Sequence, residues 1–199
     1  MNVLVLAPMG VEEFAVRRAG RVFRTGMGPA HARIAAARAL AIDADAVVVA
    51  GLCGAVDPSL APGDVVCATD LRLADGTTAA APASAELARV LERHGLRVCT
   101  GTVVSTDHIL TPAERAAVDG ALAVDMESAW LAAAAGGRPF AVVRVVVDRA
   151  GRRLADPRIA ADGFKALRQL RRAAAAIPEW AAGTAIVAAM ANRAQDAVS

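Results

Sequence analysis

Residues 139–148 read PFAVVRVVVD, and this stretch decides the fold. The run 140–147 is mostly β-branched, a composition that suits a pleated strand. It shows no alternation of apolar and polar positions. It therefore reads as a strand covered on both faces, the habit of a sheet buried under helices. Shorter runs of the same kind occur at 3–7 and 46–50. Further strands are expected at 64–70, 98–105 and 121–124, with 21–24 on an edge.

Between these runs the apolar period turns helical, at 12–18, 30–42, 85–94, 112–118 and 127–135. Pro29 suits a first helical turn, Ser84 an N-cap, and Gly95 and Gly136-Gly137 helix stops. The stretch 71–83 is expected to be irregular. A polar, Arg-rich loop is expected at 149–158, then long helices to the C-terminus with a break at Pro178. Strands alternating with helices predict an α/β chain, its central mixed and largely parallel sheet flanked by helices. No repeat or linker interrupts the chain, so 1–199 reads as a single domain.

Composition excludes several classes. Hydrophobic residues make up 56% of the 199, too many for a disordered chain. Aromatics are 3% and Tyr is absent, which argues against stacking on single-stranded nucleic acid. The basic residues are nearly all Arg and are scattered, so they read as solvated faces rather than a nucleic-acid stripe. Cys53, Cys67 and Cys99 have neither metal spacing nor a CxxC pair, and read as inert buried thiols in a reducing compartment. The opening MNVLVLAPMG lacks a basic segment before its apolar run, so it reads as a first strand. The apolar run at 184–191 is far short of the ~20 residues a membrane span needs. A cytoplasmic protein without a transmembrane segment, a nucleic-acid partner or a cofactor is expected.

Ligands in open α/β sheets bind beyond the carboxyl ends of the strands. Reading those ends in order gives Glu12 and Glu13, then Gly51-Leu52-Cys53-Gly54-Ala55, then Ser105-Thr106-Asp107-His108, then Asp125-Met126-Glu127, and last Asp148. Any one polar group at a strand end is ordinary. Together they supply carboxylates, glycine-lined backbone and apolar cover to one crevice. The turns at Gly26-Met27-Gly28 and 51–54 could bring bare N–H groups to an anion or a sugar, but neither is a phosphate loop.

Five segments carry a resemblance: TGMGPAHA (25–32), GLCGAVDPSLAPGDVV (51–66), VVSTDHIL (103–110), AVDMESA (123–129) and PFAVVRVVVD (139–148). In this order they are similar to the purine nucleoside phosphorylase and nucleosidase family over roughly residues 1–165. The chain looks most like the short hopanoid-associated branch, thought to remove adenine from adenosylhopane. Methylthioadenosine/S-adenosylhomocysteine nucleosidases and futalosine hydrolases are similar, slightly longer relatives. The resemblance implies that Asp148 protonates the departing purine and that Glu127 holds the ribose hydroxyls beside Met126. It implies that Ile109 and Leu110 grip the base, and that Glu12 positions the attacking water, Glu13 being the alternative. Cys53, Gly54 and Gly28 would complete the substrate site. It further implies a homo-oligomer.

The chemistry fits those residue types. A departing purine needs a proton, and an acid at the end of an apolar strand is pushed toward its protonated form. A second carboxylate on the sugar favours the developing cation. Two departures from the family pattern stand out. Hydrolytic relatives often carry Ser before the acid, where this chain has Val147. The Arg and Ser that phosphorolytic relatives use for phosphate are missing from PMGVEE (8–13) and AGLCGA (50–55). Water is therefore favoured over phosphate as the nucleophile. A phosphorolytic enzyme and a non-catalytic nucleoside-binding module are the alternatives.

Overall fold

The computed structural model describes residues 1–150 and 159–196, with side chains described for 1–150 and 160–184. Most of the expected loop at 149–158 thus lies outside the described residues. Eight strands form one mixed sheet: β1 (Val3–Ala7), β2 (Arg21–Arg24), β3 (Ala46–Ala55), β4 (Val65–Leu73), β5 (Thr78–Ala80), β6 (Val98–Ser105), β7 (Ala123–Asp125) and β8 (Phe140–Asp148). The helices are α1 (Gly10–Val16), α2 (Pro29–Leu40), α3 (Ala83–Arg93), α4 (Pro112–Ala116), α5 (Ser128–Leu131) and α6 (Ile159–Asp196).

The sheet closes on itself. β3 pairs with β7, β7 with β6, β6 with β4, β4 with β8, and β8 with β3 again. Closure leaves the ring without an edge. β1 and β2 extend from the first half of β3, and β5 from the far end of β4. The run 140–147 is the hub, because β8 lies between β3 and β4. One core packs Ala141, Val143 and Val145 with Leu87, Leu91, Leu170, Ile177 and Trp180 from α3 and α6. The other packs Phe140, Val142 and Val146 with Ala32, Ala36 and Leu131 from α2 and α5. Both faces of β8 are dry, as its lack of alternation requires.

Four expectations need correction. The third strand does not stop at residue 50; pairing with β8 and then β7 carries it through the glycines to Ala55. The stretch 71–83 is not all irregular. β4 runs on to Leu73, and β5 folds back on it after Asp75-Gly76, where Gly76 takes φ 87°. That dipeptide is a hairpin signal, and only glycine takes such a φ without strain. Ser84 is not an N-cap: it is buried inside α3, and its Oγ accepts the Val142 N–H at 2.9 Å. Pro178 does not end the last helix, which continues through it. Its ring faces outward, while Ile177, Trp180 and Ala181 on either side are buried, and that packing outweighs the lost backbone bond. No helix among the described residues is long and apolar enough to cross a membrane.

Candidate active site

A cavity of about 440 Å³ opens where β1, β3, β6, β7 and β8 end. This lies within the range of small-molecule pockets. Its wall includes Glu12, Cys53, Gly54, Ile109, Leu110, Met126, Glu127 and Asp148. The strand ends scattered through the sequence thus converge on one space. A β-bulge contributes: Cys53 pairs with Val146 but Gly54 with Asp148, so the extra residue sets Asp148 directly against the glycine.

Of Glu12 and Glu13, the one on the cavity wall is Glu12. Its Oε1 accepts the Leu52 N–H and its Oε2 the Met9 N–H, each at 2.7 Å. Glu13 points outward, its carboxylate 3.8 Å from Arg24. Gly28 is not on the cavity wall. Its N–H is spent on Glu127 Oε1 at 3.0 Å, so it orients a carboxylate instead of meeting an anion or a sugar. Cys53 is buried, and burial pushes its thiol far up, so it stays neutral.

Arg144 organises the Asp125 and Glu127 carboxylates, and no role for it follows from its place in an apolar run except through one signal. A guanidinium in the middle of a strand buried on both faces must find acids there. Arg144 is fully buried. Its Nε lies 2.8 Å from Asp125 Oδ2 and 3.0 Å from Ser128 Oγ, and its Nη2 lies 3.4 Å from Glu127 Oε2. Asp125 Oδ1 in turn accepts from Ser105 Oγ at 2.5 Å and from the N–H groups of Glu127 and Ser128. Gly51 leaves room for this arrangement: a Cβ there would run into the Arg144 guanidinium and the Glu12 carboxylate.

Asp148 is buried at the end of its apolar strand, as expected, but a cation shares the site. Arg115 of α4 lies against it, Nη1 to Oδ2 at 2.8 Å, with both side chains buried. Nothing in the sequence singles out Arg115, which looks like any charge on a short helix. Nearer the surface, His108 is held between Asp107 and Glu114, and these hydrogen bonds raise its pKa.

Burial raises Glu12 to about 7, against the pull of the Arg144 charge and the two backbone N–H groups. Burial likewise raises Glu127, again opposed by Arg144. A carboxyl poised near 7 suits a group that takes a proton at neutral pH. It also makes stability depend on pH. A folded-state value above the unfolded one gives stability that is complete below the usual carboxylate range and is lost as pH rises through about 7. The melting temperature should therefore fall between about pH 5 and 8, and Glu12→Gln, with no such proton to lose, should fall less. Parallel melting curves for the two proteins across that window would contradict this account of Glu12.

The family described as the Phosphorylase superfamily matches residues 20–179. No curated protein matches the sequence. Among solved structures, futalosine hydrolase of Helicobacter pylori superposes with a TM-score of 0.74 at 16% identity, covering 92% of this chain and 98% of its own. The 5′-methylthioadenosine/S-adenosylhomocysteine nucleosidase from Neisseria meningitidis, solved with methylthio-immucillin-A, gives 0.74 at 21% identity, covering 92% and 99%. The corresponding nucleosidase of Campylobacter jejuni gives 0.77 at 16% identity, covering 90% and 98%. At these identities the likeness is one of fold.

Proposed function

Because the chain belongs to the Phosphorylase superfamily, we propose that its cavity binds a purine nucleoside and that the protein cleaves the N-glycosidic bond with water. The observation that carries this reading is the convergence of Glu12, Glu127 and Asp148 on one cavity of nucleoside size. Asp148 gives a proton to the departing base. Glu127, anchored by the Gly28 N–H and by Arg144, holds the ribose hydroxyls. Glu12 orients water and takes its proton. Acid and base roles fall on groups with different neighbours, which lets one site hold both.

Water is favoured over phosphate by the charges on the wall. The only arginine lining the cavity among the described residues, Arg115, is already paired with Asp148. Glu12 would repel an anion in its ionised form. A binding module without turnover is disfavoured by the pairing of a raised carboxyl, Glu12, with the acid and the sugar-gripping group.

We propose further that the base is adenine and that the 5′ carbon bears an apolar group, with adenosylhopane the candidate from the sequence resemblance. Exposed Met27 and Ile109 on the cavity wall support an apolar 5′ substituent. The nucleosidases of like fold, named for methylthioadenosine, support adenine. A homo-oligomer in the cytoplasm belongs to the same proposal, and exposed Val11, Phe14 and Ile34 offer surface for the subunit contact.

The test is adenine release from a panel of 5′-substituted adenosines, with and without inorganic phosphate. Release should be undiminished without phosphate and faster for apolar 5′ groups than for a 5′-hydroxyl. Release that requires phosphate would replace this reading with phosphorolysis.

A further inference from the structure

Asp148 has an unexpected neighbour. The residue before Asp148, Val147, has no side-chain group that could hydrogen-bond the carboxyl. A different element supplies the contact. Arg115 is the only buried residue of α4, and its guanidinium reaches Asp148 Oδ2 at 2.8 Å. Gly54 makes the room: a Cβ there would lie 2.8 Å from Asp148 Oδ1 and 2.9 Å from Arg115 Nη2. Two buried atoms of the pair have no partner, Asp148 Oδ1 and Arg115 Nε. A buried ion pair that leaves polar atoms unsatisfied is a costly way to stabilise a fold. This one belongs to the cavity wall.

We propose that Arg115 is the positioning residue for Asp148: it clamps Oδ2, leaves Oδ1 free for the base, and holds the charge left once the proton has gone. This rests on the reading of Asp148 as the acid. The proton on Oδ1 passes to a base nitrogen as the C1′–N bond breaks and its electron pair stays with the base. Water adds to C1′ and gives its proton to Glu12. Arg115 keeps the Asp148 carboxylate in place until solvent returns a proton to it. Because α4 follows Ile109 and Leu110 directly, the same ion pair ties the expected base-gripping stretch to the acid.

Few other charges face the pair. Cys53 on β3 lies within electrostatic reach of both members and of Asp125 and Arg144, and it stays neutral. Glu12, Glu127 and His108 face the cavity. Arg115 is thus the charge on Asp148 whose removal has the plainest consequence. Taking a cation from beside a carboxyl favours the protonated form. It also forfeits stabilisation of the charge that develops during proton transfer.

The experiment is the pH profile of adenine release by the full chain and by Arg115→Met, Arg115→Gln and Arg115→Lys. For Arg115→Met the maximal rate should fall about 10-fold or more, while the high-pH limb of kcat/KM moves up by about one unit. Arg115→Gln, which can still donate a hydrogen bond, should show the same limb shift with a smaller loss of rate. It also serves as the readout if the Met variant does not fold. Arg115→Lys should keep the parent's limb. A high-pH limb that stays put in both neutral variants would overturn the proposal, whatever happens to rate or melting temperature. Asp148→Asn separates the two failures. If it remains active, the acid itself has been misassigned; if it is inactive and the limb does not move, only the role of Arg115 falls.

Discussion

Asp148→Asn should release purine roughly 10²–10⁴-fold more slowly than the parent, the range expected when a general acid is lost. The substitution is nearly isosteric. Its amide oxygen can still accept from Arg115 Nη1, which now reaches Asp148 Oδ2 at 2.8 Å. The fold should therefore survive, and the melting temperature should fall by far less than the activity. What disappears is the proton. The loss should appear mainly in kcat, because Ile109, Leu110, Met126 and Glu127, the wall proposed to meet base and sugar, are unchanged. Steady-state release, checked against circular dichroism melts, decides the matter. A variant within a few-fold of the parent would remove Asp148 from the chemistry.

Arg144→Met should be the most damaging substitution for stability. Arg144 is fully buried, and Asp125, Glu127 and Glu12 all lean on its charge. Methionine fills much of the volume but leaves those acids buried without their cation. Removing one partner of a buried ion pair costs about 3–5 kcal/mol. For a chain of this size that lowers the melting temperature by roughly 10 °C. Arg144→Lys should recover only part of the loss, because a single ammonium cannot serve Asp125 through Nε and Glu127 through Nη2 at once. Thermal melts at neutral pH test this. A melting temperature within about 2 °C of the parent's would show that the acids are held by other means.

Much of this site is legible in the sequence, and the reason is geometric. Buried strands announce themselves as apolar runs, and the residue after such a run sits at the mouth of the sheet. Glu12, Cys53, Glu127 and Asp148 were reachable by that rule, and all four meet in one cavity. What local pattern cannot give is which charge faces which. Arg144 carried a signal, a cation inside a strand buried on both faces, although its partners come from β7 and the residues after it. Arg115 carried none. Its short helix would look the same with the side chain in solvent, and only the closure of the sheet brings α4 against the end of β8. The same limit explains Ser84, whose sequence context suits a cap while its hydroxyl serves a strand far away in the chain. The hairpin at Asp75-Gly76 was missed, because the polar and small residues around that dipeptide suit a loop as well as a strand.

The central claim is that water, activated beside Glu12, displaces a purine protonated by Asp148. Its most direct test is a single-turnover reaction in ¹⁸O-labelled water, with no phosphate present, followed by mass analysis of both products. The account predicts free adenine together with a sugar bearing one ¹⁸O on C1′. Absence of base release under these conditions, with release restored by phosphate and a sugar phosphate as product, would contradict it.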